Sequence, residues 1–507
     1  MPSKLVSIEL HGLEGFLVEI EVDKRGGRPV FTIVGLPDAA VQEAKERVTS
    51  AVKNSEFDFP RGKVIVNLAP ADLRKFGPRY DLSIALGVVI MMKQLSAKTL
   101  KDTIAIGELA LDGSTRPVNG VLASVEFAVK RGFKRIVLPK DNAKEASLIP
   151  GIKIIPVGNL KEAVMHLKGK AEPLPISPPI FESTKNIGVD MAMIKGQSLA
   201  KRALEIAAAG GHNILLCGAP GAGKTLMAKA FSGILPSMSL DEKLEVSKIY
   251  SVAGLLPKNS PLINVRPFRS VHHTASAMSI VGGGNMPGPG EISLAHRGVL
   301  FMDEIAEFPK YVLEVLRQPL EDQVVTVSRV RGTCTYPCKF ILIAAMNPCP
   351  CGYRNVENAK QECSCSPIDI QRYEKRLSGP LLDRIDMYVY INPVDFSELT
   401  SNSISESTET VRSRVEEANL IQKKRFVGTK VKSNSEISSS DIEKFCAIDD
   451  ESKNLLSAAM DQFNLSARGY SRVLKLARTI ADLEGKENIS SSHIAEALQY
   501  KIRLIKN

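Results

Sequence analysis

NILLCGAPGAGKTLMA, Asn213 to Ala228, runs from a short apolar strand, Ile214 to Cys217, through a glycine loop into helical sequence. Within it Gly218, Gly223, Lys224 and Thr225 satisfy G-x-x-x-x-G-K-[ST], the spacing of a phosphate-binding loop. Backbone N–H groups can close on an anion only where no Cβ obstructs them, and the helix that follows offers its positive N-terminal end. The expected nucleotide cradle is therefore Gly218, Ala219, Pro220, Gly221, Ala222, Gly223, Lys224 and Thr225. Lys224 would reach the β and γ phosphates, and the Thr225 hydroxyl would ligate Mg²⁺.

Working outward, GVLFMDEI, Gly298 to Ile305, is an apolar strand that ends in two carboxylates about 80 residues after the loop. Asp303 is placed to hold Mg²⁺ through water and Glu304 to polarise the attacking water. A third strand, KFILIAAMNP, ends on Asn347, whose neutral amide can bond the γ-phosphate or orient the water without adding charge. In SGPLLDRIDMYVYI, Arg384 follows a short helix and precedes a strand, with Asp383 and Asp386 as alternative structural partners.

At 507 residues, with 44% apolar composition, the chain has room for three or four domains. No run approaches the 18 apolar residues of a membrane span, and MPSKLVSIELHG lacks a secretory h-region, so a cytoplasmic protein with no membrane partner is expected. The net charge of +10 is consistent with polyanionic partners, yet spread over this length it does not by itself argue for DNA.

Residues 1–167 read as an α/β or α+β domain of alternating strands and helices. Gly107 to Ala146, with its P-V-x-G turn, and KFGPRYDLSIALGV resemble the proteolytic domain of Lon, an S5-type fold. Aligning the shared turns puts Arg79 where that family has its serine and Leu122 where it has its lysine. A serine hydroxyl without a neighbouring base is a poor nucleophile, and here both partners are replaced. The expectation is a Lon-like fold without peptidase activity, serving packing, oligomerisation or docking. A proline-rich linker, 168–188, follows it.

The strings RSVHHTASAMSIVGGG, PGPGEISLAHRGVLFMDEIAEF, LRQPLEDQVVTVSR, AAMNPCPCG and SGPLLDRID resemble the magnesium-chelatase branch of AAA+ ATPases. With the Lon-like domain in front, the chain is similar to the YifB/ComM family over nearly its full length. The resemblance implies an AAA+ phosphate-loop core over 189–395 and a C-terminal helical lid over 396–507. It implies ATP and Mg²⁺ as cofactors, a homo-oligomer, in all expectation a hexamer, and a DNA helicase that promotes branch migration on single-stranded or branched DNA during recombination in competence. It also gives Asn347 the sensor-one position and Arg384 the position of a finger offered to the neighbouring subunit's γ-phosphate, an interaction worth about 10³ to 10⁵ in rate. Arg468, which opens SARGYSRVLKLARTIADLEG, aligns with the sensor-two arginine of the lid and is expected to reach the γ-phosphate, with Arg472 one turn on as the alternative. A metal-chelatase motor that remodels a partner protein without touching DNA is the competing reading.

Two inserts are candidate substrate contacts. GGGNMPGPG, Gly282 to Gly290, reads as a flexible loop with no regular structure. VVTVSRVRGTCTYPCKFIL reads as a hairpin whose basic tip, Arg329 and Arg331, suits phosphate contacts. Finally, Cys349, Cys351, Cys363 and Cys365 form two C-x-C pairs able to supply four thiolates to structural Zn²⁺, with Cys334 and Cys338 as weaker alternatives.

Overall fold

The computed structural model describes residues 2–173, 188–257, 260–284, 287–329, 332–355, 361–393, 406–463 and 465–501. Most of the proline-rich linker and Arg331 therefore lie outside the described residues.

The first unit is a seven-stranded mixed sheet. β1 (Ser3–His11) and β2 (Glu14–Arg25) pair antiparallel, and β2 alternates buried Val18, Ile20 and Val22 with outward Glu19 and Glu21, the period-two pattern of a half-covered strand. β3 (Phe31–Val34), β4 (Lys63–Ala69), β5 (Thr103–Ala105), β6 (Arg135–Pro139) and β7 (Lys153–Val157) complete it in the order β3-β4-β2-β1-β5-β6-β7. Helix α1 (Ala39–Asn54) starts where the Asp38 carboxylate accepts the Val41 N–H, and it buries Val41, Ala44, Val48, Ala51 and Val52 along one stripe. Helix α2 (Asp81–Met91) joins α1 in one core, and α3 (Val121–Lys130) belongs to a second core with Ile8, Ile104 and Ile136.

The second unit opens with α4 (Ser198–Gly210), β8 (Ile214–Gly218), α5 (Lys224–Ile234) and α6 (Leu240–Val252). β9 (Phe268–Val271), β12 (Val299–Met302), β15 (Ile341–Met346) and β16 (Met387–Ile391) join β8 in an all-parallel sheet of order β9-β12-β15-β8-β16, with β10 (Gly282–Gly283) and β11 (Gly288–Pro289) as a small separate pair. Its strands are near-continuous apolar runs because helices cover both faces. Each candidate catalytic residue that follows β8, β12 or β15 therefore emerges at one carboxyl-terminal edge, where open α/β sheets bind their ligands. Beside the sheet, α7 (Arg317–Asp322) leads into the antiparallel hairpin β13 (Val324–Arg329) and β14 (Gly332–Pro337), as its β-prone runs predict. The glycine-rich segment departs from expectation. Gly282 and Gly283 pair with Pro289 and Gly288, because Gly290 and Gly282 approach closer than any Cβ would allow.

The C-terminal helices α8 (Thr408–Arg425), α9 (Ala467–Leu483) and α10 (Ser491–Gln499) share one apolar core with α4, α5 and β16. Ser407 and Ser466 cap α8 and α9, each accepting a backbone N–H in the first turn. The lid reading is met in part: the bundle packs on α4, α5 and β16 and shares its core with Ala222 of the phosphate loop. The start of α9 packs beneath the sheet, where the Arg472 guanidinium donates to Ile385 O at 2.7 Å, just before β16 begins. The two units also meet. Gly120 N–H bonds Ser251 O at the end of α6, Lys248 pairs with Glu126 at 2.9 Å, and the β1–β2 turn at Gly12 abuts Cys334 and Tyr336 of β14.

Candidate active site

The loop Gly218–Thr225 leaves β8 and enters α5 through Gly221 (φ 78°) and Gly223 (φ 89°), backbone conformations that glycine adopts without Cβ strain. Gly218 has a second reason to be glycine: a Cβ there would sit 2.4 Å from Ile391 O of β16. Lys224 is 9% exposed, and its ammonium donates to Gly218 O (2.7 Å), Ala219 O (3.0 Å) and Asn347 Oδ1 (2.9 Å). Burial pushes its pKa below the ordinary lysine value. The loop lysine and the amide at the end of β15, 123 residues apart, are thus in direct contact.

On the other side of the loop, Thr225 Oγ1 donates to Asp303 Oδ2 at 2.8 Å. A hydroxyl and a carboxylate so close, beside a glycine cradle, are a donor set suited to Mg²⁺ with a phosphate. Glu304 takes a left-handed backbone (φ 50°, ψ 48°), sparsely populated by non-glycine residues, and its own N–H donates to Asp303 Oδ1 at 3.0 Å. The turn separates the two carboxylates: Asp303 faces the loop hydroxyl, whereas Glu304 Oε2 lies 3.4 Å from His273 Nδ1.

His273 is a site residue that the sequence reading left without a role. It follows β9, and the register Val271 to Met302 brings the residues after both strands side by side. His272 lies against it with ring centroids 4.1 Å apart, and Phe308 meets it edge-on. The signal available was a polar pair, His272 and His273, closing a β-prone run.

The arginines are elsewhere. Asn213 Nδ2 donates to Arg384 O at 3.0 Å, which puts Arg384 beside the first residues of β8, whereas the loop follows its last. At about 3.3 Å per residue, β8 alone separates the two by roughly 13 Å. Arg384 and Arg468 both pair with Glu321, and Arg472 bonds Leu382 O, Ile385 O and Asp383. Arg468 thus faces away from the loop of its own chain, contrary to the expectation for a lid arginine: the apolar stripe of α9 packs on α4 and carries its N-terminus to the opposite edge of the sheet. All three line a cavity of about 550 Å³ at that edge, together with Lys432, Lys475 and Glu321.

The cysteines converge. Cys349 Sγ is 3.3 Å from Cys351 Sγ and 3.7 Å from Cys363 Sγ, and all four sulfurs of Cys349, Cys351, Cys363 and Cys365 lie within 4.8 Å of one another. Burial opposes it, but hydrogen bonds from the Tyr353 backbone and the neighbouring thiols hold Cys351 down at about 6. Cys365 is pushed up to about 12: the Cys351 N–H favours its thiolate, but burial and the adjacent Cys351 and Cys349 sulfurs outweigh it. Four negative sulfurs at this spacing repel unless a cation joins them, so the donor set fits Zn²⁺. The cluster also braces the nucleotide loop, since a Cβ on Gly352 would lie 2.6 Å from Pro220 Cδ. Cys334 and Cys338 are buried in the hairpin and lie outside this group. At the hairpin tip, Arg329 is exposed and its Nη2 donates to Gly282 O at 3.3 Å, so the two inserts touch.

The chain is 42% identical to "Competence protein ComM" of Haemophilus influenzae, over 97% of this chain and 96% of that one. It is 41% identical to the uncharacterized protein YifB of Escherichia coli, over 96% and 93%. The chain belongs to the ComM/YifB family. Residues 190–399 match the family described as magnesium chelatase, subunit ChlI; residues 20–142 match subunit ChlI of Mg-chelatase, and 405–501 its C-terminal part. Membership of this magnesium-chelatase-like group implies an ATPase that uses ATP and Mg²⁺ and works as an oligomer. Among the described residues, no helix is long and apolar enough to cross a membrane.

The amino-terminal part of this ComM/YifB chain has a second likeness. Lon protease of Rhizobium meliloti is 25% identical over 198 residues, covering 35% of this chain and 24% of that protein. At the two aligned positions the structure places Arg79, buried, with its guanidinium on Ile8 O (3.2 Å) and Asn119 O (2.6 Å), and Leu122, fully buried, with its N–H on Glu145 Oε1 at 3.2 Å.

Proposed function

We propose that the protein is a ring-forming AAA+ ATPase, hexameric in its working state, that couples ATP hydrolysis to remodelling of branched or single-stranded DNA, as a branch-migration helicase acting in recombination of incoming DNA. The observation that carries the ATPase reading is the assembly of Lys224, Thr225, Asp303, Glu304 and Asn347 at one edge of a parallel sheet. Arg384 and Arg468 lie at the other edge, so a neighbouring copy must supply them.

In this reading the amides of Gly218 to Thr225 receive the phosphates, and Lys224 exchanges its loop carbonyls for phosphate oxygens. Thr225 and Asp303 would hold Mg²⁺, which would supply charge neutralisation to the phosphates. Glu304, released from His273, polarises the attacking water, and Asn347 orients it. The neighbour's Arg384 and Arg468 complete the pocket around the charge that builds in the transition state. Cys349, Cys351, Cys363 and Cys365 hold structural Zn²⁺. The amino-terminal unit is a docking and packing module without peptidase activity, because Arg79 and Leu122 stand where a nucleophile and base would be needed. DNA contact is assigned to the hairpin tip, Arg329 and Arg331, with the adjoining glycine pair. The name of the Haemophilus influenzae relative supports a role in competence.

The test is unwinding of a forked junction by the parent and Glu304→Gln, with binding followed against salt. ATP-dependent unwinding lost in Glu304→Gln, with a steep log–log salt slope from phosphate contacts, supports the reading. Robust ATP turnover indifferent to DNA would instead favour a motor that remodels a partner protein.

A further inference from the structure

Glu321 stands on α7, two residues before Gln323, whose left-handed backbone (φ 57°) turns the chain into the hairpin strand β13. Its carboxylate is shared between two arginines that come from distant parts of the chain. One oxygen accepts from Arg384 Nη2, and the other lies 3.5 Å from Arg468 Nη2. Arg384 is drawn further inward by Pro380 O, which accepts its Nη1 at 2.6 Å, while its Nε is buried without a partner among the described residues. The outcome is uneven: 13% of the Arg384 side chain is exposed, against 51% of Glu321 and 61% of Arg468.

A guanidinium that is to meet a phosphate on another subunit must be offered outward, and in this arrangement Arg384 is not. A carboxylate presenting one oxygen to each of two guanidinium groups satisfies the same donors that a γ-phosphate would use. It therefore competes with that phosphate rather than assisting it. The competition is also weak enough to be overcome, because the shared carboxylate is half exposed and solvated ion pairs bias an equilibrium by only about two- to fivefold.

Glu321 is joined to the hairpin at its root. Gln323 O, just past α7, accepts the Cys338 N–H at 2.8 Å, so both ends of β13–β14 are tied to the end of α7 that carries Glu321. At the far end of the hairpin, Arg329 reaches Gly282 O. The two paired strands thus connect Arg329 continuously to the end of α7 that carries Glu321.

We propose that Glu321 is a positioning residue that holds Arg384 and Arg468 back from the neighbouring subunit's phosphate until a polyanion bound at the β13–β14 hairpin draws the end of α7 away. This rests on the function proposed above and adds its regulation: ligand at the hairpin of one copy would license hydrolysis in the site of the next.

The test is steady-state ATP turnover by the full-length assembled protein, with and without a forked oligonucleotide duplex, for the parent, Glu321→Gln, Glu321→Asp and Arg384→Ala. Melting temperature and sedimentation establish that each variant is folded and assembled. Glu321→Gln should raise DNA-free kcat about two- to fivefold at unchanged KM and reduce the stimulation by DNA by the same factor. Glu321→Asp should fall between, and Arg384→Ala should lose turnover under both conditions. DNA-free kcat in assembled Glu321→Gln at or below the parent's overturns the proposal, while loss of turnover in Arg384→Ala leaves the proposed function standing. Full turnover by Arg384→Ala overturns both. If Glu321→Gln fails to assemble, Glu321→Asp decides by the same criterion.

Discussion

Replacing Asn347 by aspartate changes one terminal NH₂ group for an oxygen and should move stability and ATP affinity in opposite directions. The Asn347 amide oxygen already accepts from Lys224 Nζ at 2.9 Å, so a carboxylate would take over that contact without rearrangement. A charged acceptor strengthens such a hydrogen bond by about 1 kcal/mol net. The ligand-free protein should therefore melt about 2–4 °C higher, the shift expected of a unit of roughly 200 residues. ATP then has to recover Lys224 from that pair, and its terminal phosphate must also sit near a new negative charge. At a separation of about 4 to 8 Å and an effective dielectric near 20, the repulsion costs about 2–4 kcal/mol. The sum, about 3–5 kcal/mol, corresponds to a loss of about 10² to 10⁴ in affinity. A fluorescent ATP analogue titrated in the presence of Mg²⁺, beside thermal melts of the ligand-free protein, measures both quantities. Asn347→Asp binding ATP within threefold of the parent would show that Lys224 does not leave Asn347 for the phosphates, and the assignment of the site would fail with it.

Other expectations follow from the same geometry. The protein purified without chelator should carry one zinc per chain by elemental analysis, and Cys351→Ser with Cys363→Ser should abolish it and lower the melting temperature, since a structural zinc contributes folding energy directly. Gly352→Val, which drives a side chain into Pro220, should raise KM for ATP about tenfold, roughly 1.4 kcal/mol, while leaving the zinc content intact; an unchanged KM would mean the cysteine loop does not brace the phosphate loop. His273→Ala should lower kcat about tenfold at constant KM, as loss of one positioning contact to a general base would. Glu245 supplies a pH prediction. The His296 hydrogen bond, with Arg297 beside it and burial opposing both, holds it at about 2 against an ordinary 4.5. Its folded pKa is depressed, so its contribution is complete above about pH 4.5 and fades as pH falls toward 2. After discounting for its partial exposure, the stability gap between the parent and Glu245→Gln should be about 1 kcal/mol at pH 6, about 0.4 kcal/mol at pH 3 and nearly gone at pH 1.

Much of this architecture was legible in local sequence. A phosphate loop is a strand, a turn and a helix start within 16 residues, and the residue types it needs are dictated by the anion rather than by the rest of the fold. Asp303 and Asn347 were readable because each closes an apolar run, and parallel strands deliver their ends to one edge. The two C-x-C pairs announced a cluster, since a short loop suffices to bring them together.

The rest depends on which distant surfaces pack. The hydrogen bond between Lys224 and Asn347 and the pairing of His273 with Glu304 exist only because β8 adjoins β15 and β9 adjoins β12, and strand order is not written in any one strand. Arg468 shows the limit most plainly. Its helix, its Ser466 cap and its apolar stripe could all be read locally, but a stripe says only that something covers it. The partner is α4, and that choice carries Arg468 to the edge opposite the nucleotide loop, beside Arg384 and Glu321. The chain alone thus determined the chemistry of the site, residue by residue, because short-range chemistry constrains residue type. Tertiary packing decided which of those residues gather at one edge of the sheet and which lie at the other, because burial of apolar faces sets direction across the sheet.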